Sequence, residues 1–121
     1  IILGGATAEP VQDTFAVLEL DLIRVKGKTE PAHVYGLFGD EGMANAPAFQ
    51  AVRNANTQML RAYRDQDWNT AEAALTELEN GAASAGLSLG TYVALYRLRL
   101  AEMSDADIGP DWDGVFTATI K

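Results

Sequence analysis

The feature that most constrains the fold is an alternation of apolar and basic residues at positions 23–28, within the sequence LDLIRVKGKTEP of residues 20–31. Side chains of a β-strand point alternately to the two faces of a sheet, so this alternation predicts a strand with one apolar and one basic face. A turn containing glycine follows, and residues 15–38 are therefore predicted to form a β-hairpin. The basic face carries three of the chain's nine basic residues, namely Arg24, Lys26 and Lys28.

This basic face has two interpretations. In a chain with a formal net charge of −8, three clustered cations beside Gly27 indicate a site for a polyanion such as a nucleoside triphosphate. Alternatively, lysine and arginine protect an exposed hairpin edge from pairing with other sheets. Composition alone favours the second interpretation, because most charge runs are solvated surface.

The first arm of the hairpin changes its apolar pattern partway along. Ala16, Leu18, Leu20 and Leu22 share one parity, whereas Ile23 and Val25 have the other. A β-bulge inserts one extra residue into a strand and moves every later side chain to the opposite face. The sequence therefore predicts a bulge between Glu19 and Ile23, which directs the basic side chains out of the sheet.

These residues resemble the closing hairpin of the catalytic domain of class III adenylate and guanylate cyclases. The shared pattern is a strand ending in arginine and a small apolar residue, then Lys-Gly-Lys, a polar residue, Glu-Pro and a return strand with Val-Tyr. The return strand here has the sequence AHVYGL, so Ala32 and Gly36 replace the family's usual valine and glutamate. The sequence ILGGAT of residues 2–7 also resembles the strand and helix that precede this hairpin, and the resemblance thus covers residues 1–38.

The resemblance implies an enzyme of signal transduction that converts ATP or GTP to the 3′,5′-cyclic monophosphate and pyrophosphate. It assigns Lys26 to the triphosphate of the substrate and gives no role to Arg24 or Lys28. In the family, the metal-binding aspartates and an Asn/Arg pair that stabilises the transition state lie upstream of the hairpin. The Mg²⁺ or Mn²⁺ ligands and all catalytic residues are therefore expected outside this segment, which alone is expected to be inactive.

The chain begins with an apolar run and no initiator methionine, so it is expected to be cut from a longer chain. The resemblance implies that it is the C-terminal part of that protein. By the family's pattern, the active sites lie between two catalytic domains. The intact protein is therefore expected to be a homodimer of catalytic domains. The sequence does not distinguish ATP from GTP, because the base-selecting residues of the family also lie upstream.

After a linker predicted at residues 39–45, apolar residues recur at intervals of three and four, which predicts helices. The first helix begins near Pro47, with Asn45 or Ala46 as its N-cap. Its helical stripe consists of Phe49, Val52, Asn56, Met59 and Tyr63.

A second helix follows a break at residues 65–67 and is expected to pack antiparallel to the first. Its apolar stripe consists of Trp68, Ala71, Leu75 and Leu78. Asn69 and Glu72 have the spacing of a capping box at its start, and residues 80–81, Asn-Gly, have the composition of a helix end. A third helix is predicted at residues 88–103, and because apolar residues occur nearly all round it, we expect it to be buried between other elements.

The connection between the first two helices is similar to the turn of a tetratricopeptide repeat. Tyr63 ends one helix, and Trp68 precedes the small Ala71 on the next, where a small side chain lets the helices approach closely. Stacked repeats need about three units for stability, and one such unit is visible. A helical cap on the cyclase domain is therefore favoured over a peptide-binding solenoid.

The chain ends in a strand predicted at residues 115–120, where β-branched residues alternate. An Ala-Tyr-Arg helix end, Asp-Trp and a terminal Trp-Asp-Gly-Val also resemble the C-terminal extension of a subset of bacterial class III cyclases. Three aspartates precede the strand, namely Asp107, Asp111 and Asp113. Their spacing lacks the glycine and the distal glutamate of a calcium loop, so an exposed acidic turn is favoured over a calcium site.

The complete prediction is an α+β chain of three parts. Residues 1–38 form a partial cyclase-type sheet with a closing β-hairpin, and residues 39–45 form a linker. Residues 46–121 form a three-helix extension similar to a tetratricopeptide repeat (TPR-like), followed by the terminal strand. The alternative is a non-enzymatic TPR-like protein-interaction module, in which the hairpin is only scaffold.

Composition excludes several other classes of function. Without cysteine, the chain has no disulfide framework and no cysteine nucleophile. The one histidine, His33, disfavours a histidine zinc site and a Ser-His-Asp triad, and we expect it to be an exposed or cross-strand partner. A sequence pI of about 4.4 argues against nucleic-acid binding. No apolar run approaches the roughly 20 residues of a membrane span. No membrane contact is therefore expected from this segment, and the expected location is cytoplasmic, with any membrane attachment through upstream regions.

Overall fold

A computed structural model of the chain describes residues 2–25, 30–105, 109, 112 and 114–118. The structure is α+β and divides into two compact units, one formed by Ile1–Asn45 with Gly114–Lys121 and the other by Ala46–Asp113. In chain order the elements are β1 (Ile2–Gly4), α1 (Gly5–Ala8), β2 (Ala16–Val25), β3 (Ala32–Gly39), α2 (Glu41–Ala44), α3 (Pro47–Arg64), α4 (Trp68–Ala85), α5 (Gly90–Asp105) and β4 (Phe116–Ala118).

The first unit is built on a four-stranded sheet with the strand order β1-β3-β2-β4. β2 and β3 form the predicted antiparallel hairpin, and β1 pairs antiparallel with β3. β4 pairs in parallel with β2, so the terminal strand belongs to this sheet, whereas the sequence assigned it to the helical extension. The helical unit is therefore an insertion in the chain between β3 and β4, two strands of one sheet.

The predicted β-bulge in β2 is confirmed. The register pairs on its two sides are Glu19 with Tyr35 and Asp21 with Val34, which makes Leu20 the inserted residue. Beside it, the Asp21 carboxylate accepts a hydrogen bond of 2.9 Å from the backbone N–H of Leu22. A bulge interrupts the regular ladder of a sheet, so this carboxylate supplies a local partner to a backbone donor where the ladder is irregular.

One face of the sheet is covered by α1 and the turn that follows it. The buried residues on this face are Ala8, Val17 and Tyr35, with Leu3, Val11 and Leu37 packed against them. Val17 pairs with Leu37 and Leu3 pairs with Tyr35 in the two antiparallel ladders. Because directly paired residues of neighbouring strands point to the same face, these four side chains form one apolar layer under α1.

The segment predicted as a linker, residues 39–45, contains the short helix α2. The Asp40 carboxylate caps this helix by accepting a hydrogen bond of 3.1 Å from the backbone N–H of Met43. The composition of this segment, with two glycines and two acidic residues, is typical of a linker. The helix nevertheless forms because Asp40 satisfies one of the N–H groups at its N-terminus.

The second unit consists of α3, α4 and α5. α3 begins at Pro47 with Ala46 as its N-cap, as predicted. All five residues of its predicted stripe are buried, namely Phe49, Val52, Asn56, Met59 and Tyr63. α3 and α4 are antiparallel, as predicted: Val52 near the start of α3 lies against Gly81 near the end of α4, and Tyr63 contacts Trp68 at the other end of the pair.

The predicted N-cap of α4 is wrong. The cap is Asp67, whose carboxylate accepts a hydrogen bond of 3.4 Å from the backbone N–H of Thr70. Asn69 lies inside the first turn of the helix instead. Both Asp67 and Asn69 belong to the residue types that cap helices, and spacing alone did not show at which of them the chain enters the helix.

The predicted end of α4 is also wrong, because the helix continues through residues 80–81 to Ala85. It ends at Gly86, which has a φ of 73° in the left-handed region. Glycine adopts this conformation without steric cost and therefore commonly ends helices. Gly81 lies inside the helix at a close approach to α3, where a Cβ atom would lie 3.3 Å from Cγ2 of Val52, which is a tight contact.

The corrected N-cap gives a test of the structure. Asp67→Ala is expected to lower the free energy of unfolding by about 1 kcal/mol, because it removes the acceptor for a helix N-terminal N–H. Asn69→Ala is the matched control and is expected to be neutral or slightly stabilising, since alanine has the higher helix propensity. Urea denaturation of both variants measures the difference, and a larger loss for Asn69→Ala would contradict the Asp67 cap.

α5 is not buried on all sides, which corrects the prediction for the third helix. Val93, Tyr96 and Leu100 are buried, whereas Leu95 is 41% and Leu98 is 57% exposed. A sequence pattern counts the apolar residues around a helix but does not show how many neighbouring elements cover them.

Two further predictions concern the end of the chain and the membrane. The acidic trio of Asp107, Asp111 and Asp113 lies outside the described residues. Within the part of the chain that the structure describes, no helix is both long and apolar enough to cross a bilayer.

Candidate functional site

The site predicted from the sequence is the basic turn between β2 and β3. β2 ends at Val25 and β3 begins at Ala32. Lys26, the predicted triphosphate contact, lies with Gly27 and Lys28 outside the described residues. The described part of the site is therefore the pair of strand ends that lead into and out of this turn.

The bulge determines which face of the sheet Arg24 occupies. Beyond the bulge, Leu22 pairs with His33, so Arg24, two residues later, is on the same face as His33. In a strand without the bulge, regular alternation would place Arg24 on the face of Leu18. The insertion thus moves Arg24, the one basic residue of β2, to the face that carries Glu19 and His33.

Glu19 and His33 form a cross-strand contact on this face. Nε2 of His33 lies 3.2 Å from Oε2 of Glu19, and the two side chains are 44% and 28% exposed. The imidazole ring of His33 also lies 5.8 Å from the ring of Tyr35. The expectation that His33 is an exposed cross-strand partner is therefore confirmed. Such a pair stabilises a hairpin by roughly 0.2–1 kcal/mol, so the contact of Glu19 with His33 helps to hold the two strands together.

The sequence did not single out Glu19. The two residues are not directly paired, because Glu19 is opposite Tyr35 and His33 is opposite Leu22. Their contact is diagonal and crosses the irregular part of the ladder. A pairing of Glu19 with the one histidine could have been predicted only with the bulge placed at Leu20.

Gly36, where the family pattern has glutamate, is surrounded by side chains. A Cβ atom at Gly36 would lie 2.8 Å from Cε2 of Phe38 and 3.1 Å from Cδ1 of Leu20, the bulge residue. A side chain at position 36 would therefore displace Phe38 or Leu20. The glycine, where the family pattern has glutamate, is thus linked to the packing of the bulge residue. The second departure, Ala32, is exposed and pairs with Ile23 at the end of the hairpin ladder.

The residues present do not fit the divalent metal that the cyclase resemblance implies. Among residues 2–25, 30–105 and the few described beyond them, no group of three or more His, Asp or Glu side chains could hold a metal ion. The resemblance itself places the metal ligands upstream, so no chemical step of this chain is derived through a metal.

The aromatic residues of the helical unit form a core cluster around Tyr63. Its ring meets the rings of Trp68, Tyr96 and Trp112 edge to face, with centroids 6.3, 5.3 and 5.3 Å away. Next to this cluster, the hydroxyl of Tyr92 donates a hydrogen bond of 2.6 Å to Oδ1 of Asn56. Of the two α5 tyrosines, Tyr96 is buried and Tyr92 is half-buried.

Two cavities lie in the helical unit, and each is lined by few charged side chains. The larger, about 340 Å³, lies between the end of α4 and the start of α5, and its one carboxylate is that of Glu79. This carboxylate is engaged by Arg97 at 2.7 Å. The smaller, about 250 Å³, lies at the α3–α4 turn and includes Asp67, which caps α4. Glu79 and Asp67 thus have structural roles, whereas Arg61 and Asp65, which also line the smaller cavity, are exposed.

Comparison with known proteins gives no match: no family model, no curated protein and no solved structure matches this chain.

Proposed function

We propose that this chain is the C-terminal segment of a class III nucleotide cyclase, which in its complete form converts ATP or GTP to the cyclic 3′,5′-monophosphate and pyrophosphate. The observation that carries the proposal is the order of the elements. β1, α1, β2 and β3 follow one another at the residues that resemble the penultimate strand, the helix and the closing hairpin of that domain. The proposal is also supported by the bulge, which is expected from the sequence pattern of the hairpin and places Arg24 on the face of His33.

In this proposal, the hairpin serves as the support for Lys26. A lysine ammonium is a compact charge on a flexible stem that neutralises phosphate oxygens, and Gly27 permits close approach of the backbone. The ladder of β2 and β3 extends to the pair Ile23 and Ala32, so the base of the turn is fixed. Catalysis of phosphoryl transfer depends mainly on positioning and on electrostatic stabilisation, and a fixed base for a phosphate-binding lysine contributes to both.

The remaining chemistry belongs to residues upstream and to a second catalytic domain. The ribose 3′-hydroxyl loses its proton and its oxygen attacks the α-phosphorus. The bond between the α-phosphorus and the oxygen that joins it to the β-phosphorus breaks, and pyrophosphate leaves. The two metal ligands and the Asn/Arg pair of the family would supply metal binding and transition-state stabilisation. Homodimerisation of the catalytic domains would complete the site.

The test is an assay of the complete protein beside the 121-residue chain alone, with ATP or GTP and with Mg²⁺ or Mn²⁺. We expect the complete protein to release cyclic monophosphate and pyrophosphate in equal amounts and the isolated chain to release neither. Absence of both products from the complete protein with every combination of nucleotide and metal would contradict the proposal.

A second candidate function is a non-enzymatic protein-interaction module, and the exposed face of α5 favours it. This face, which we call the outer face of α5, consists of Ala94, Leu95, Leu98 and Ala101. Each of the other three residues is three or four positions from Leu98, so they surround it on one side of the helix. Glu102 and Asp105 are exposed at its C-terminal end, so its charge complements an amphipathic helix with lysine or arginine beside its apolar stripe.

The second candidate is tested with a synthetic amphipathic helix of leucine and lysine, titrated against the chain by fluorescence anisotropy. Leu98→Ser is expected to weaken binding about tenfold, as for an apolar contact at the centre of an interface. Ile2→Ser is the matched control, because Ile2 is 68% exposed but lies on β1. Equal affinities of both variants and the wild-type chain would contradict docking on the outer face of α5.

A further inference from the structure

The Asn-Gly pair at residues 80–81 lies inside α4, near its C-terminal end. Asn80 is the one asparagine of the chain that is followed by glycine. Its side chain is exposed, whereas Gly81 is half-buried against α3. Because glycine has no side chain, its backbone nitrogen can approach the side-chain amide of the preceding asparagine closely. The pair is therefore a candidate site of covalent modification.

The modification that this pair can undergo is deamidation through a cyclic imide. The backbone nitrogen of Gly81 attacks Cγ of Asn80, the bond from Cγ to Nδ2 breaks, and ammonia leaves with the amide proton of Gly81. Water then opens the imide at either carbonyl group, which leaves aspartate or isoaspartate at position 80. The reaction needs water and no other reactant.

The intact helix prevents this ring closure. In an α-helix each backbone N–H donates to the carbonyl of the residue four positions earlier, so the N–H of Gly81 donates to the carbonyl of Glu77. Ring closure requires the Gly81 nitrogen to leave this hydrogen bond and Asn80 to leave the helical backbone conformation. Deamidation of Asn80 therefore depends on opening of this part of α4.

The C-terminal end of α4 is weakly packed. All residues of α4 are described in the structure, and beyond Leu78 its one buried side chain is that of Ala82. A cavity of about 340 Å³ lies between this end and the start of α5. The ion pair of Glu79 with Arg97 is exposed and adds little stability. Segments with few buried apolar contacts open at a lower free energy than the core, so this end is expected to open locally.

The cap that follows α4 controls the opening of this end. The N–H of Gly86 donates to the carbonyl of Ala83 over 3.3 Å, and the N–H of Leu87 donates to the carbonyl of Ala82 over 2.9 Å. These two hydrogen bonds form a Schellman motif, which requires the left-handed conformation that Gly86 has at a φ of 73°. Other residues adopt this conformation at a steric cost. A substitution at Gly86 therefore loosens the end of α4 and leaves the Asn-Gly pair itself unchanged.

We infer that Asn80 is a deamidation site whose rate is set by local opening of the C-terminal end of α4. This inference does not depend on the proposed cyclase function. Isoaspartate lengthens the backbone by a methylene group and interrupts the regular hydrogen bonds of the helix. The reaction therefore loosens α4 permanently at the point where Gly81 approaches Val52 of α3.

The test measures deamidation of the 121-residue chain at neutral pH, with mass spectrometry of the digested protein to detect the gain in mass at residue 80. We expect the folded chain to react at least about tenfold more slowly than the chain unfolded in urea, because only the opened fraction reacts. Gly86→Ala is expected to accelerate the reaction in the folded chain about fivefold or more.

Gly90→Ala is the matched control for Gly86→Ala. A Cβ atom at Gly90 meets no atom within 4 Å, and the φ of Gly90 is not in the left-handed region. This variant is expected to keep the wild-type rate of deamidation. Equal acceleration in both variants would contradict the role of the Gly86 cap, and equal rates in Gly86→Ala and the wild-type chain would contradict opening at this end.

Two results with the wild-type chain alone also overturn the inference. A folded chain that reacts as fast as the unfolded chain contradicts protection by α4. Local opening exposes little surface, so low concentrations of urea are expected to change the rate much less than they change the equilibrium of global unfolding. A rate that rises with urea as steeply as global unfolding contradicts local opening, and this measurement decides the question if Gly86→Ala does not fold.

Discussion

Replacing Lys26 with alanine in the complete protein is expected to lower kcat/KM for the nucleoside triphosphate about tenfold, the range for loss of one charged contact. The loss follows from the proposed role of Lys26, because its ammonium group neutralises oxygens of the triphosphate. If the contact forms equally in the ground state and the transition state, the loss is expected as a higher apparent KM. If it forms mainly in the transition state, the loss is expected as a lower kcat. Initial-rate measurements over a range of triphosphate concentrations separate the two.

Lys28→Ala is the matched control for this substitution. It removes the same charge two residues further along the turn, where the cyclase pattern assigns no contact. We expect kcat/KM to fall less than threefold in this variant, because a nearby but unengaged charge acts through screened solvent. An equal loss in both variants would indicate a general electrostatic effect, and an unchanged kcat/KM in Lys26→Ala would remove Lys26 from the site.

Tyr63→Ala is expected to lower the free energy of unfolding by about 3–5 kcal/mol, the range for truncation of a large buried aromatic side chain. Tyr63 is 1% exposed, and its ring contacts Trp68, Tyr96 and Trp112. The substitution leaves a cavity between the three helices α3, α4 and α5 and the ring of Trp112. A loss of this size is comparable to the whole stability of many domains, so the helical unit is expected to unfold near room temperature or at low urea concentration.

Two control variants locate this effect. Tyr63→Phe keeps the ring and its edge-to-face contacts and is expected to cost less than half as much as Tyr63→Ala. Leu98→Ala truncates a side chain that is 57% exposed and is expected to change the free energy of unfolding by about 0.5 kcal/mol or less. Urea denaturation followed by tryptophan fluorescence measures all three, and a loss below 1 kcal/mol in Tyr63→Ala would contradict the aromatic cluster.

The parts of the fold that were predicted correctly depend on local patterns. The hairpin and its bulge follow from the alternation of side chains, because a change of parity in a half-buried strand requires an inserted residue. α3 follows from the spacing of its stripe and from Pro47 at its start. In each case residues close in the sequence determine the structure, and their periodicity is sufficient.

The incorrect predictions depend on contacts between residues far apart in the sequence. The composition of Asn80-Gly81 indicated a helix end, but Gly81 lies inside α4, at a close approach to Val52 on α3. The terminal strand was recognised, but its pairing with β2 joins Arg24 to Thr117, which no local pattern shows. The apolar pattern of α5 did not show that Leu95 and Leu98 remain exposed.

The candidate site was also predicted only in part, and again only where a local pattern identifies it. The basic alternation is a local pattern and identified the turn, whereas the assignment of Lys26 to a triphosphate comes from the resemblance to cyclases. The contact of Glu19 with His33 and the pairing of β4 with β2 were not predicted. Both depend on the register around the bulge and on a parallel pairing of distant segments.

Chemical labelling of the complete protein tests the central claim most directly. ATP or GTP with an amine-reactive acyl group on the γ-phosphate transfers that group to a lysine beside the triphosphate, as the amine attacks the acyl carbon and the nucleotide leaves. Mass spectrometry of the digested protein is expected to find the acyl group on Lys26, with labelling suppressed by an excess of the unmodified nucleotide. Suppressible labelling of other lysines with Lys26 unmodified would contradict the claim that this hairpin turn binds the triphosphate.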